Sequence, residues 1–493
     1  MKSLKLSVLA TLMLVAVFFI APASANAHRP LTTGVTTPDI ELAPQIGYDR
    51  IKSAGASFTR VILFWRDIAP ADEPVAWDPT DPNDPNYNWA GYDLAIERAG
   101  EAGVEVLASI YQAPEWAERC KSEVEGICNP DPQAFADFTE AAATRYSGQS
   151  EDLPRIKYWK PWNEPNLFIS FLPQFKNGKA VSPKLYRNLL NGFAERVKAV
   201  NSNNQVVGGG LAPLERPGSL GPLDFQRQVL CLKGRNKPRP QNGCGQKAMF
   251  DIWATNPFTT GGPTHASAGR DDASLGDLGK VKTILKAAKK YKKVITDKSS
   301  VPFWVTEFSW DSKGPDPGGV KMNILKKWVP EAMYTAWKAG VTRFSWLSLR
   351  DWSREKGAPY SETFESGLYF RASSIENDKA KPFLKSFRFP FVAYRGGSGI
   401  RVWGRTASSL NGRVAIYYKL RGGFQKIKVM KTDKNGIFTG LIRTGKGKKN
   451  KGVLKAKVIG GAASKVGGQQ GSLNFSLKPI KDFRQAPFGN PVS

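Results

Sequence analysis

From residue 32 to residue 347 the chain alternates short apolar, β-branched runs with longer stretches in which apolar residues recur every three to four positions; beyond residue 387 only short alternating runs remain. The short runs read as strands and the longer stretches as amphipathic helices. Strands are predicted at Thr32 to Thr36, Thr59 to Trp65, Val104 to Ile110, Ile156 to Trp162, Gln205 to Gly210, Met249 to Thr255, Phe303 to Thr306 and Val341 to Leu347. Helices are predicted between them at Tyr48 to Ala54, Tyr92 to Ala102, Pro132 to Tyr146, Pro183 to Val200 with Ser182 as its cap, Phe225 to Leu232, Gly279 to Tyr291, and Pro330 to Ala339. Eight such alternations place the chain in the α/β class and predict a (β/α)8 barrel. The rival, a doubly wound open sheet, calls for a Gly-rich phosphate loop after the first strand; the Gly208-Gly209-Gly210 run follows a later strand and lacks the spacing.

The second region predicts a C-terminal all-β sandwich. Its strands are Phe389 to Tyr394, Gly399 to Gly404, Val414 to Lys419, Gln425 to Met430, Val453 to Ile459 and Ser472 to Leu477, with a turn at Asp433-Lys434-Asn435-Gly436 and a solvated tip at Lys446 to Lys451.

The ends of the chain add to this picture. Lys2 and Lys5, the uncharged run Leu6 to Ile20, and the small residues Ala23-Ser24-Ala25 and Ala25-Asn26-Ala27 have the order of a secretory signal peptide, so residues 1–27 are set apart from the fold. Residues 28–385 are then the barrel and residues 386–493 the β-domain. The run is short for a membrane span, which leaves a secreted, extracellular or wall-associated protein as the expectation. Four cysteines fall into two local pairs, Cys120 with Cys128 and Cys231 with Cys244. Disulfides suit an exported chain, and the spacing is not that of a zinc site. The only histidines are His28 and His265, which nearly excludes a histidine-based triad and makes carboxylates the expected carriers of any catalysis. The formal charge is +28, and from Arg401 to Ser493 there are 20 Lys and Arg against Asp433 and Asp482 alone. Such a region attracts acidic wall polymers or acidic polysaccharides, and in an exported protein these come before nucleic acid; a solvated basic surface serving solubility is the other reading.

Two stretches carry candidate chemistry. Tyr158-Trp159-Lys160-Pro161-Trp162-Asn163-Glu164-Pro165-Asn166 ends an aromatic strand on a carboxylate, and Trp304-Val305-Thr306-Glu307-Phe308-Ser309-Trp310 does the same. A desolvated carboxyl has its pKa raised toward the value a general acid needs. In a barrel, strands four and seven bring Glu164 and Glu307 to the same C-terminal face, and such a pair is the equipment for glycoside hydrolysis.

On these residues the sequence resembles glycoside hydrolase clan A, the retaining (β/α)8 enzymes that include families 5 and 39, over roughly residues 31–385. Asn163-Glu164-Pro165 matches the clan's acid/base motif, and Thr306-Glu307-Phe308 is similar to its nucleophile segment. The resemblance implies Glu164 as acid/base, Glu307 as nucleophile, Asn163 as partner of the sugar's 2-hydroxyl, Arg60 near the end of strand two, and Trp346 as a floor to the reactive subsite. It also implies a carbohydrate substrate and no metal or organic cofactor. Where many clan members carry a histidine and tyrosine on strand six, this chain has Asn256-Pro257-Phe258. Phe258 cannot make the tyrosine's hydrogen bond to the nucleophile; Asn256 is the expected replacement for the histidine's polar role, and His265 in the following loop is expected to reach the cleft, with a surface-loop role as the alternative. Tyr111, Trp116, Trp162, Trp310 and Trp352 are candidates to line sugar subsites, Trp116 foremost. A non-catalytic carbohydrate- or wall-binding barrel and a transglycosylase stay open beside the hydrolase.

Overall fold

The computed structural model describes residues 28–37, 40, 43–149, 153–396, 399–420, 422–443, 453–465 and 474–476. The signal peptide, the Lys446 to Lys451 tip and half of the last predicted strand lie outside them. Eight parallel strands close into a barrel: β1 (Thr32–Thr36), β2 (Phe58–Phe64), β3 (Glu105–Tyr111), β4 (Tyr158–Pro161), β5 (Gln205–Leu211), β6 (Ile252–Thr255), β7 (Phe303–Val305) and β8 (Val341–Leu347), with β1 pairing β8. Outside them run α1 (Gln45–Ser53), α2 (Ala90–Glu101), α3 (Pro132–Arg145), α4 (Ser182–Val200), α5 (Pro222–Val229), α6 (Leu278–Lys290), α7 (Met322–Ala339) and the short α8 (Leu384–Arg388). The order is that of a (β/α)8 barrel.

Barrel strands are buried on both faces, which explains why they read as continuous apolar runs without clean alternation. One face meets the helices. The other fills the barrel, where Arg343 lies over the rings of Phe58, Tyr158 and Trp304 at 5.1, 4.3 and 4.6 Å. Three predicted details are corrected. Pro330 lies inside α7, which begins at Met322, so the proline is not a helix start. Ser182 lies inside α4 and caps nothing; its hydroxyl donates to Gln174 Oε1 at 2.9 Å. The run Met249 to Thr255 is divided, with only Ile252–Thr255 in the barrel.

Beyond the barrel stand two antiparallel sheets. One contains β9 (Phe391–Gly396), β10 (Gly399–Arg405) and, after β11 (Arg413–Leu420) and β12 (Gly423–Lys431), the strand β13 (Ile437–Arg443), which the sequence pattern missed. The other has the order β12, β11, β14 (Val453–Gly460), β15 (Asn474–Ser476). An aromatic seam joins them to the barrel: Tyr334 and Trp337 of α7 meet Tyr394 and Trp403 at ring distances of 5.2 to 5.6 Å, and the Tyr394 hydroxyl donates to Glu331. Cys120–Cys128 and Cys231–Cys244 are both disulfides. Among the described residues no helix is long and apolar enough to cross a membrane.

Candidate active site

Strand β4 pairs with β3 only as far as Pro161, which has no N–H to continue the ladder. The chain then turns sharply, with Trp162 at φ 63° and Glu164 at φ 45°. Neither residue is glycine, so each position costs on the order of 1–2 kcal/mol of local backbone strain. The surroundings hold it. The Trp162 N–H donates to Ile110 O at 2.8 Å, its indole N–H to Ser170 O at 2.7 Å, and the Glu164 N–H to Gly210 O at 3.1 Å. Asn166 ties the same loop to the one after β5, donating to Ala212 O at 3.2 Å and Leu220 O at 3.1 Å. This turn aims Glu164 at the mouth of the barrel.

Seven polar side chains from four strands and the loops that follow them meet there. Arg60 on β2 places Nη1 2.6 Å from Glu307 Oε1 and donates to Asn163 Oδ1 at 3.1 Å. Asn256, after β6, donates from Nδ2 to Glu164 Oε1 at 3.0 Å, and its Oδ1 accepts from Thr306 Oγ1 at 2.8 Å. One amide thus links the carboxylate after β4 to the residue that precedes Glu307. Arg60, Asn256, Thr306 and Glu307 are all buried.

The seventh is Lys160, which the sequence reading passed over as part of an aromatic strand. Its side chain is wholly buried, and its ammonium donates to the Trp162 carbonyl and to Asn163 Oδ1 at 3.3 Å. Gly210, at φ 78°, makes room for it, since a Cβ there would stand 2.3 Å from Lys160 Cε. With Arg60 and Lys160 both donating to Asn163 Oδ1, the Asn163 amide nitrogen is left to face other partners.

Electrostatics follow from depth and neighbours. Burial, then the charge of Glu307, push the Glu164 carboxyl up to about 7, against the opposing pull of the Asn256 hydrogen bond, Lys160 and Arg60. Burial, with Arg60 beside it, brings Lys160 down to about 7. Burial also lifts the Tyr111 hydroxyl to about 12, and the charges of Glu164 and Glu307 add to that rise. Tyr111 packs edge-on against Trp162 at 5.3 Å, which places it beside the pair.

Of the residues expected at the site, Glu164, Glu307, Arg60, Asn163 and Asn256 come together. Trp346 does not join them, and its expected role as a floor is corrected. On β8 it points to the helical layer, fully buried against Phe308, Trp310, Phe383 and Phe387, and its indole N–H donates to Ser366 O at 2.7 Å. Trp310 is buried beside it, with its N–H on Gly261 O. Trp116 makes edge contacts with Trp65 and Trp77 and donates to Pro70 O at 3.0 Å; none of these partners belongs to the carboxylate cluster. His265 lies in the loop after β6 with its ring against Gly261, and Ser274 and Gly276 donate to its carbonyl. Phe258 stacks on Phe308 at 6.3 Å.

No protein-family model matches the sequence, and no curated protein does either. Among solved structures, the fold is shared with a family 39 glycoside hydrolase from Bacteroides cellulosilyticus WH2, with a TM-score of 0.50, 14% identity, and coverage of 84% of this chain and 81% of that one. The chain also aligns with the family 30 subfamily 8 xylanase Xyn30A from Clostridium acetobutylicum at a TM-score of 0.45 and 12% identity, over 85% and 95% of the two chains. A β-glucuronidase from Bacteroides uniformis aligns at 0.43 and 12% identity over 92% of this chain and 46% of that one. At 14% identity the likeness to the family 39 structure is one of fold.

Proposed function

We propose that the protein is an exported retaining glycoside hydrolase that cleaves β-glycosidic bonds in an oligo- or polysaccharide, with residues 28–385 as its catalytic domain. The observation that carries this reading is the pair of carboxyls at one barrel mouth, each with a different polar partner, Arg60 for Glu307 and Asn256 for Glu164. Glu307 lies 2.6 Å from the Arg60 guanidinium, whereas burial raises Glu164 to about 7, so that it holds a proton near neutral pH. A proton-bearing carboxyl beside a second carboxyl after the barrel strand three further on suits the roles of acid and nucleophile.

In this mechanism Glu307 attacks the anomeric carbon as Glu164 gives its proton to the departing oxygen, so the glycosidic bond breaks as a glycosyl ester forms. Loss of the Glu307 charge into the ester removes the second cause of the raised Glu164 pKa. Glu164, now a carboxylate, takes a proton from water as that water attacks the ester, and Glu307 departs as an anion. The Asn163 amide nitrogen is available to the sugar's 2-hydroxyl. The reading of a non-catalytic barrel drew on Phe258, which cannot support the nucleophile; in this structure Arg60 and the Asn256 to Thr306 link supply polar support from other strands. The two disulfides and the N-terminal pattern support export.

The test is a panel of aryl glycosides and polysaccharides with product analysis, run on wild type and Glu307→Ala. Turnover of one substrate class, lost in the variant without a change in melting temperature, is the expected result. Full activity in Glu307→Ala overturns the assignment. N-terminal sequencing of exported material checks the cleavage after residue 27.

A further inference from the structure

The outer face of the sheet formed by β12, β11, β14 and β15 has a composition that neither folding nor the barrel chemistry explains. Its inner face is settled by burial: Val414, Ile416, Leu454, Ala456 and Val458 alternate inward and are shielded from solvent. Of the residues between them, Ala415 is also shielded, whereas Tyr417 and Lys419 of β11 and Lys455 and Lys457 of β14 are half-buried or exposed and face outward. The strand register sets Lys455 and Lys426 on either side of Tyr417, and in the neighbouring rows Lys457 and Val429 on either side of Ala415, and Phe424 beside Lys419. Strand spacing separates the two lysines flanking Tyr417 by roughly 10 Å. Lys455 lies over the Phe424 ring at 5.4 Å. These strands contain no Asp or Glu. Asp433, the one acidic residue after Arg401 that is described, is held at the β12–β13 turn by His28.

Protection of a sheet edge accounts for lysines on β12, which is an edge strand. It does not account for the rest. Lys455 and Lys457 stand on β14 and Lys419 on β11, both interior to the sheet, and β12 also exposes Phe424, Ile427 and Val429 to 37, 39 and 38%. Protection would avoid such apolar exposure. Flat rings between unneutralised ammonium groups fit a ligand with alternating apolar faces and negative charge. Lysine rather than arginine dominates, which suits isolated charges more than the bidentate recognition of a phosphodiester.

We propose that this face binds an acidic polysaccharide, with Lys426, Lys455 and Lys457 pairing with its carboxylates and Tyr417 and Phe424 taking the faces of its sugar rings. The choice of a sugar polymer over other polyanions rests on the glycosidase reading of the barrel; the charge and ring pattern does not.

The test is affinity electrophoresis of the whole protein through gels containing polygalacturonate, with dextran gels and a duplex DNA of equal charge concentration as separate arms. Wild type should be retarded by polygalacturonate, not by dextran, and less as salt rises. The triple substitution Lys426→Gln, Lys455→Gln, Lys457→Gln should weaken the affinity roughly tenfold, as the loss of three exposed pairings predicts. Phe424→Ala should weaken it at high salt as well as low. Retardation of the triple variant equal to wild type overturns the proposal, as does tighter binding of DNA than of polygalacturonate. Glu307→Gln should be retarded as wild type is; loss of retardation there would move the binding to the cleft and overturn the proposal. If no glycoside is hydrolysed by wild type, the proposed catalysis fails and this readout still stands.

Discussion

Replacing Lys160 with methionine keeps the length of the side chain and removes its charge from the centre of the barrel. In the folded protein this lysine falls from the ordinary 10.5 to about 7, first because it is buried and then because Arg60 is near. Between those two values the unfolded chain binds a proton that the folded chain does not, so wild-type stability rises with pH across that window. Below pH 7 the folded protein carries the ammonium at a cost of about 5 kcal/mol, from three and a half units at about 1.4 kcal/mol each. Methionine abolishes that cost but leaves the Trp162 carbonyl short of a donor, a loss of about 1–3 kcal/mol, while Asn163 Oδ1 keeps its bond from Arg60. The variant should therefore be more stable than wild type at pH 6, with the difference shrinking and reversing toward pH 10. Urea unfolding of both proteins at unit steps from pH 6 to 10, followed by tryptophan fluorescence, measures it. Parallel stability curves would refute the reasoning, because a lysine that titrates normally adds no slope. Turnover should move the other way: with Lys160 gone the Asn163 amide loses one of its two fixed partners, and kcat should fall while the fold gains.

Glu164→Ala should spare aryl substrates with good leaving groups and regain rate with azide; no response to azide would put the acid/base role in doubt. Asn256→Ala removes a hydrogen bond that favours the Glu164 carboxylate, so the basic limb of the kcat/KM profile should move up by about one pH unit. An unmoved limb would show that the bond is not made in solution. Gly210→Ala sets a Cβ 2.3 Å from Lys160 Cε at a backbone φ of 78°, and should lower the melting temperature and turnover together. Wild-type values would mean that Lys160 does not pass there.

The eightfold alternation was legible because each barrel strand carries an apolar run and each long helix keeps its period, so Glu164 and Glu307 could be placed at the ends of β4 and β7 from the sequence. Side-chain direction was harder to read. A strand buried on both faces hides which residues point to the axis, and so Trp346 was assigned to the cleft although the inward positions of β8 are those of Arg343 and Ser345, the latter hydroxyl 2.7 Å from that of Thr36. Lys160 was missed for the same reason. A charge in the run Tyr158 to Trp162 breaks its apolar character, and that break was the available signal. Asn256 was found as a stand-in for the polar role of a histidine, and its partners, Glu164 and Thr306, are what the structure adds. The strand β13 escaped notice because Gly440 and Thr439 dilute its apolar residues.

The seam between α7 and the β-sheets has a mechanical consequence. Tyr334 and Trp337 interlock with Tyr394 and Trp403, and at the opposite end of the chain His28 bonds Asp433 while the Arg29 guanidinium lies 5.7 Å over Trp337. The N-terminal segment and the β-sheets are thus fastened to α7 across one joint. Under the proposed function, a basic sheet resting on a polymer would hold the barrel mouth at a set angle and distance from that strand, and the bonds it met would follow from the posture of the whole body.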